Sequence, residues 1–416
     1  MAVRIWRILA SLRLTVVLLA FGILLVFVGT VAQVDEGLYQ AQTRYFKHWI
    51  VWGIGLNGRT VPIPLPGGYL LGTLLLANLV AAHATRFVWT WRKIGIHMAH
   101  AGIILLLVGQ LATDLLSRET EMRFAEGETL DYSESARSFE LAFGADVNAR
   151  TREVVAIPAR LLERGGEVRD DNLPCTVRVT SYWRNSEPSF RAPMQQNGPP
   201  LATHGIARYF DFRLLQESRN PDQRNVPTAV VEILGNGRSL GTWVASAWSA
   251  DESLLAAVRE SYTRQVGAQM AGQIADRLVE PQTVEIGGKA WALALRPARH
   301  YHPFSITLMK TTHSVYPGTD IPKDFRSRVR IVNPGTRENR EVEIFMNSPL
   351  RYGGLTFYQY QMGRDELDAS RGTSTLQVVR NPSWLAPYAA CGLVGAGLLV
   401  QFLLHLHGFV TRRRAA

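Results

Sequence analysis

Cysteine is almost absent from this chain. Two are present in 416 residues, Cys175 and Cys391, far apart and in no C-x-x-C arrangement. That excludes thioredoxin-like thiol chemistry and cysteine-based zinc sites, and without C-x-x-C-H the chain is not itself a c-type cytochrome. The nucleophile elbow G-x-S-x-G, the zinc motif H-E-x-x-H and the phosphate loop G-x-x-x-x-G-K are missing too. No hydrolase constellation emerges. Charge of one sign is also lacking where a nucleic-acid face would need it: between Arg118 and Arg380 there are 33 Lys+Arg against 32 Asp+Glu, although the whole chain carries +10. No nucleic-acid partner is expected.

The excess positive charge lies beside long apolar runs, of which there are four. Arg4, Arg7 and Arg13 flank the first; Arg86, Arg92 and Lys93 separate the second from the third; Arg412, Arg413 and Arg414 follow the fourth. About 20 helical residues cross a hydrocarbon core, and basic flanks stay on the cytoplasmic side. A single topology places every basic end inside. It has a cytoplasmic N-terminus over 1–13, spans at 14–33, 69–90, 94–116 and 384–407, a cytoplasmic turn at 91–93 and a cytoplasmic tail at 408–416. Residues 34–68 form an outer connection and 117–383 an outer domain. A cleavable signal peptide is the competing reading of the first run, but its apolar stretch exceeds the 7–15 residues of such a segment. In the connection, Tyr45, Phe46, Trp49 and Trp52 recur at helical spacing beside Arg44, Lys47 and His48, which suits an amphipathic segment at the outer membrane surface.

The expected fold class is therefore a membrane protein with four transmembrane helices and a large β-rich extracytoplasmic domain containing one long amphipathic helix. Strands are predicted at 209–215, 228–234, 240–246, 283–295, 307–316, 327–333, 341–347 and 355–360, where β-branched and aromatic residues are broken by Gly, Asn and Pro. Over 251–280, Leu254, Leu255, Val258, Tyr262, Val266, Met270, Ile274 and Leu278 keep a 3.6-residue period and predict the helix, with Asp251 and Ser253 as N-caps.

Of ten histidines, three fall where the side chain is expensive: His83 in the second run, and His97 and His100 near the start of the third. An ionisable group inside a span usually faces a bundle interior or a partner, and neutral imidazole is an axial ligand for haem iron. Snorkelling to the interface or bonding a neighbouring helix is the structural alternative for each. His405 and His407 sit at the end of the fourth run; His204, His300, His302 and His313 fall in the β-rich region with no metal-ligand pattern around them. Arg351, Tyr352, Tyr358 and Gln359 stand in an aromatic and basic stretch that reads as a core strand after a Gly-Gly turn.

Several stretches, in order along the chain, resemble the ResB family of system II cytochrome c biogenesis proteins. They are Ser11-Leu12-Arg13-Leu14; Val28-Gly29-Thr30-Val31-Ala32-Gln33; Pro66-Gly67-Gly68 with Asn78-Leu79; and His100-Ala101-Gly102-Ile103. They continue with His302-Pro303-Phe304, Val315 to Thr319, Pro322 to Ser327, Met346 to Gly354, Phe357-Tyr358-Gln359 and Arg380 to Trp384. Residues 120–300 match in general character only.

The resemblance implies a subunit of the cytochrome c synthetase of the bacterial inner membrane, which moves haem outward and helps present it for attachment to the C-x-x-C-H thiols of apocytochrome c. It implies a ResC (CcsA) partner carrying the tryptophan-rich haem-handling motif, and separate thiol-reducing proteins. That motif is missing here, so attachment by this chain alone is not expected. The implied cofactor is a transient b-type haem shared with the partner, its iron ligated by a histidine of the third span. His100 best fits that place, His97 is second, and His83 offers an internal pair with His100. Arg351, Tyr352, Tyr358 and Gln359 are the implied contact with apocytochrome or partner. The alternative is a scaffold that assembles the complex or holds apocytochrome and binds no haem; a haem b electron carrier using His83 and His100 ranks below both.

Overall fold

Apolar side chains at nearly every position from 14 to 32 leave no polar face for a surface helix, and the stretch forms a long, uninterrupted helix. The computed structural model describes residues 2–415 except 57–58, 149–150, 192–197, 219–223, 317, 319–321 and 365–369, so Pro317 and Thr319 of the family-like block lie outside the described residues. Two units separate by their internal packing: one comprises residues 1–118 and 380–416, the other essentially residues 119–379.

In the helical unit, α1 (Ala2–Leu9) breaks at Ala10-Ser11 and α2 (Leu12–Glu36) follows. Next come a single turn, α3 (Leu38–Ala41), and a π-turn over Gln42–Phe46. The chain then forms a hairpin of β1 (Ile50–Leu56) and β2 (Arg59–Pro66). This corrects the amphipathic helix expected over Tyr45–Trp52. The helical turns stop at Phe46, and Trp52 lies in a strand whose partner carries Pro62, Pro64 and Pro66, residues a helix interior does not accept. Tyr45 is fully buried among Leu18, Leu25, Val28 and Leu71 rather than spread on a surface. Gly67 and Gly68 follow because the chain there runs against the backbone of His48 and Phe46, where any Cβ would collide. Helices α4 (Gly68–Arg86) and α5 (Ile94–Leu116) are joined by a connection that ends in a 3-10 turn at Trp91–Lys93.

The second unit is mostly sheet. In chain order it contains β3 (Arg118–Ala125), β4 (Thr129–Asn148), β5 (Thr151–Pro158), α6 (Ala159–Arg164), β6 (Gly166–Arg169), β7 (Thr176–Trp183), β8 (Ser186–Phe190), β9 (Phe210–Leu214), β10 (Thr228–Gly235) and β11 (Arg238–Ser246). After these come α7 (Glu252–Val266), α8 (Ala268–Leu278), β12 (Gln282–Ile286), β13 (Lys289–Val315), β14 (Pro322–Asn333), β15 (Glu338–Phe345), β16 (Leu350–Tyr352), β17 (Leu355–Arg364) and β18 (Gly372–Arg380). The main sheet runs β15-β14-β13-β4-β3-β18-β17-β16, with β12 also on β13 and β5 also on β4; β11-β10-β7-β6 and β8-β9 form two smaller sheets. Strand β13 serves two cores. Its first half contributes Trp291, Leu293 and Leu295 to a core shared with β4, β5, β7, β10 and β11, and its second half contributes Phe304, Ile306 and Leu308 to one shared with β14, β17 and β18.

The expected single long helix is two. Gly267 adopts φ +80°, its N–H bonds Thr263 O to close α7, and α8 starts at the next residue. The apolar period continues across the break, which is why it reads as one helix. Val258 from α7 and Ile274 and Leu278 from α8 pack over Phe210, Val230 and Val244. Asp251 is the N-cap, accepting from the Ser253 N–H at 2.9 Å.

The chain returns to the helical unit as α9 (Ala386–Ala415), antiparallel to α5. Three glycines seven residues apart, Gly95, Gly102 and Gly109, line that seam. A Cβ on Gly102 would stand 2.6 Å from Val394 Cγ2, and one on Gly109 at 2.6 Å from Ala386 Cβ. Small residues let backbones approach where apolar tails offer no other driving force. Among the described residues four helices, α2, α4, α5 and α9, are long and apolar enough to cross a membrane.

Candidate functional site

His83 stands one turn from the end of α4, and His97 and His100 share a face of α5 three residues apart. The antiparallel hairpin brings all three together. The His83 ring centroid lies 5.1 Å from that of His97 and 5.8 Å from that of His100, with interplanar angles of 88° and 83°. All three are half-buried.

His97 is committed to the loop before it. Its Nε2 donates to the Val88 carbonyl at 3.1 Å. Its Nδ1 is buried without a hydrogen-bond partner. Phe87 lies 4.8 Å from the His97 ring and 5.3 Å from that of His83, and Trp89 is nearly parallel to His97 at 6.1 Å. Among the described residues no three His, Cys, Asp or Glu side chains converge to hold a bare metal ion; the imidazoles meet edge to face instead. His83 and His100 are in direct contact, so no planar macrocycle fits between them as they stand.

The remaining described histidines are packed or solvated. His204 stacks on Trp243 and His313 on Phe325, each at 4.7 Å. His302 stacks on Phe304 and bonds Ser133 Oγ at 3.0 Å; burial, and then the neighbouring His300, holds its pKa below the usual histidine value. His405 and His407 are exposed on α9. Neither cysteine supports thiol chemistry. Burial pushes the Cys175 thiol up to about 11, and Cys391 lies alone on α9.

The four residues of the family-like strand divide. The Tyr352 hydroxyl donates to Glu338 Oε2 at 2.7 Å and accepts from Asn333 Nδ2 at 2.9 Å, its ring edge-on to Phe304. Gln359 accepts from Ser327 Oγ at 2.6 Å and donates to Ser374 Oγ at 3.1 Å, in a buried polar network between sheet strands. Both side chains are engaged within the β-rich unit. Arg351 and Tyr358 are exposed. Gly353 and Gly354 take φ +58° and +75° at the β16–β17 turn, and a Cβ on Gly353 would press on the Phe304 ring.

Two polar side chains were given no role by the sequence reading. Asn78 of α4 is buried at the α1–α2 break, donating to Leu9 O at 2.5 Å and Ser11 O at 3.1 Å and accepting from Thr15 Oγ1 at 2.6 Å. At the opposite end of the hairpin from the histidines, Asp114 of α5 is held by the Lys47 ammonium and the Tyr69 hydroxyl. Its signal was available: one acid inside an apolar run is a residue with a partner.

Residues 282–375 match the ResB-like family, the stretch from β12 into β18 that contains the Gly-Gly turn and the Ser327–Gln359–Ser374 network. That stretch of the chain is similar to the ResB-like family. Protein NrfI of Wolinella succinogenes is 23% identical to this chain over 342 residues, 80% of the chain, and the matched region spans 30% of the relative's length. The histidine cluster lies outside the family-matched residues, so its role rests on its own geometry.

Proposed function

We propose that this chain is the haem-receiving, ResB-type subunit of a cytochrome c synthetase in the bacterial inner membrane. One observation carries the reading: three imidazoles gathered inside an apolar helical hairpin, with no carboxylate or thiolate among them. That donor set fits the axial positions of haem iron, which accept neutral imidazole, and does not suit a hard cation. Haem is here the cargo. Its iron brings two axial positions, and this chain fills one.

His100 is the proposed ligand. Its ring is half-buried and touches only His83 among the described ring contacts. Because His83 and His100 are already edge to face, an internal bis-imidazole sandwich would require the hairpin to open, which favours a second axial ligand from a partner of ResC (CcsA) type. His83 then orients His100.

Orientation follows from charge. Gln401 Nε2 donates to the Arg92 carbonyl at 3.2 Å, so the basic turn and the basic end of α9 share one end of the helical unit, the end that carries the histidines. By the positive-inside rule that end is cytoplasmic, and haem made in the cytoplasm meets His100 on entering. By chain order the β-rich unit is then outside, where the exposed Tyr358 is placed to meet apocytochrome c or the partner; thiol reduction belongs to other proteins of the pathway. Deleting the gene in a cell with one c-type cytochrome tests the role. Covalent haem on that cytochrome should disappear and return with the wild-type chain but not with His100→Ala at equal protein level. Full restoration by His100→Ala would leave the chain a scaffold.

A further inference from the structure

The connection between α4 and α5 has an unusual composition for a turn. Turns favour Gly, Pro, Asn, Asp and Ser, and residues 87–93 contain none of them. They contain Phe87, Trp89 and Trp91, all exposed, Trp91 at 78%. Two of these rings point back at the histidines. Phe87 sits against both His83 and His97, and Trp89 lies flat along His97 with an interplanar angle of 8°.

We infer that this loop is a gate over the histidine cluster, in which Phe87 and Trp89 hold the place a planar anionic macrocycle takes, and His97 is the latch rather than a ligand. The identity of the macrocycle rests on the haem reading above; the latch rests on geometry alone.

Three features support the assignment. The His97 ring N–H donates to Val88 O and its ring lies parallel to Trp89, so the closed loop occupies it, while His100 has neither engagement. The contacts that close the loop are aromatic rings on imidazoles, nearly parallel for Trp89 on His97, tilted for Phe87 on His97 and edge-on for Phe87 on His83, and a porphyrin ring offers the same kind of contact. The buried, unpartnered Nδ1 of His97 is an unfavourable feature of the closed state that opening relieves, which keeps the gate near balance. Arg92 and Lys93, exposed at the end of the loop, supply cations for the carboxylates of the incoming group.

The test has two arms, both on the full chain in detergent. Hydrogen–deuterium exchange reads the latch without ligand. His97→Phe keeps a ring for Trp89 but has no N–H for Val88 O, and peptides covering 87–93 should exchange about fivefold faster than wild type, the worth of one net hydrogen bond. Peptides from the far half of α5 should not change. The second arm uses the chain co-purified with its ResC-type partner and loaded with ferric haem, following haem loss to apomyoglobin. Trp89→Ala and His97→Phe should each lose haem about fivefold faster, His97→Phe with wild-type absorption bands. Altered bands in His97→Phe would make His97 a ligand and overturn the latch, as would unchanged exchange over 87–93. Unchanged haem loss in both variants would overturn the gate while the haem reading stood. If the wild-type complex took up no haem, the haem reading would fail and the macrocycle with it; the exchange arm would still decide the latch.

Discussion

Asp251 caps α7, bonds both the N–H and the hydroxyl of Ser253, and is paired with Arg224 and with Arg123 at 3.1 Å. Burial works against its charge, and the Ser253 and arginine interactions together outweigh it, holding the carboxyl down to about 2. Its pKa in the unfolded chain is about 3.9, so the stabilisation is complete above about pH 4 and is lost as pH falls toward 2. Asp251→Ala should therefore cost about 1–2 kcal/mol at pH 7, and urea unfolding of wild type and variant should converge as the pH approaches 2. A second pair of substitutions separates contact from core. Gln359→Ala removes the partner of Ser327 and Ser374 and should lower the amount of folded protein. Tyr358→Ala should leave that amount unchanged and reduce cytochrome c maturation. From the sequence these two neighbours look alike; only the pleat, which turns one into the network and the other to the surface, tells them apart. The same holds for Asn78, whose three bonds depend on where α1 breaks.

At the scale of elements, what could be read depended on how simple each environment is. The apolar runs were legible because a helix surrounded by apolar matter needs only composition. The α7–α8 pair read as one helix because Gly267 breaks the backbone without breaking the apolar period. Strand β4 was not read at all: Leu141 to Ala145 are buried consecutively, so the alternation that marks a half-exposed strand is missing. The α5–α9 seam makes a paired prediction. Gly72 of α4 has open space around its missing Cβ, whereas Gly102 meets Val394 and Ala390. Gly72→Ala should be neutral or stabilising by up to about 1 kcal/mol, as expected for Gly to Ala in a helix. Gly102→Ala should destabilise through overpacking by about 1–3 kcal/mol. Thermal unfolding of the two variants in one detergent checks the opposite signs.

For the molecule as a whole, the sequence was enough to single out His83, His97 and His100, because an imidazole in an apolar run is costly wherever it sits. Only the family resemblance put His100 first and His97 second; the residues by themselves left the order open. A geometric reason for that order depends on Phe87, Val88 and Trp89, whose contacts exist only once the turn has its shape, and which engage His97 and not His100. Charge at one end of the helical unit, imidazoles at that same end, and a β-rich unit carrying the family-like strands are the three features on which the proposed haem uptake rests. The most direct test is the absorption spectrum of the chain co-purified with a ResC-type partner, for wild type and His100→Ala. The account predicts bis-imidazole bands in the wild-type complex and their loss in His100→Ala with the partner still bound. Identical bands in the two complexes would contradict it.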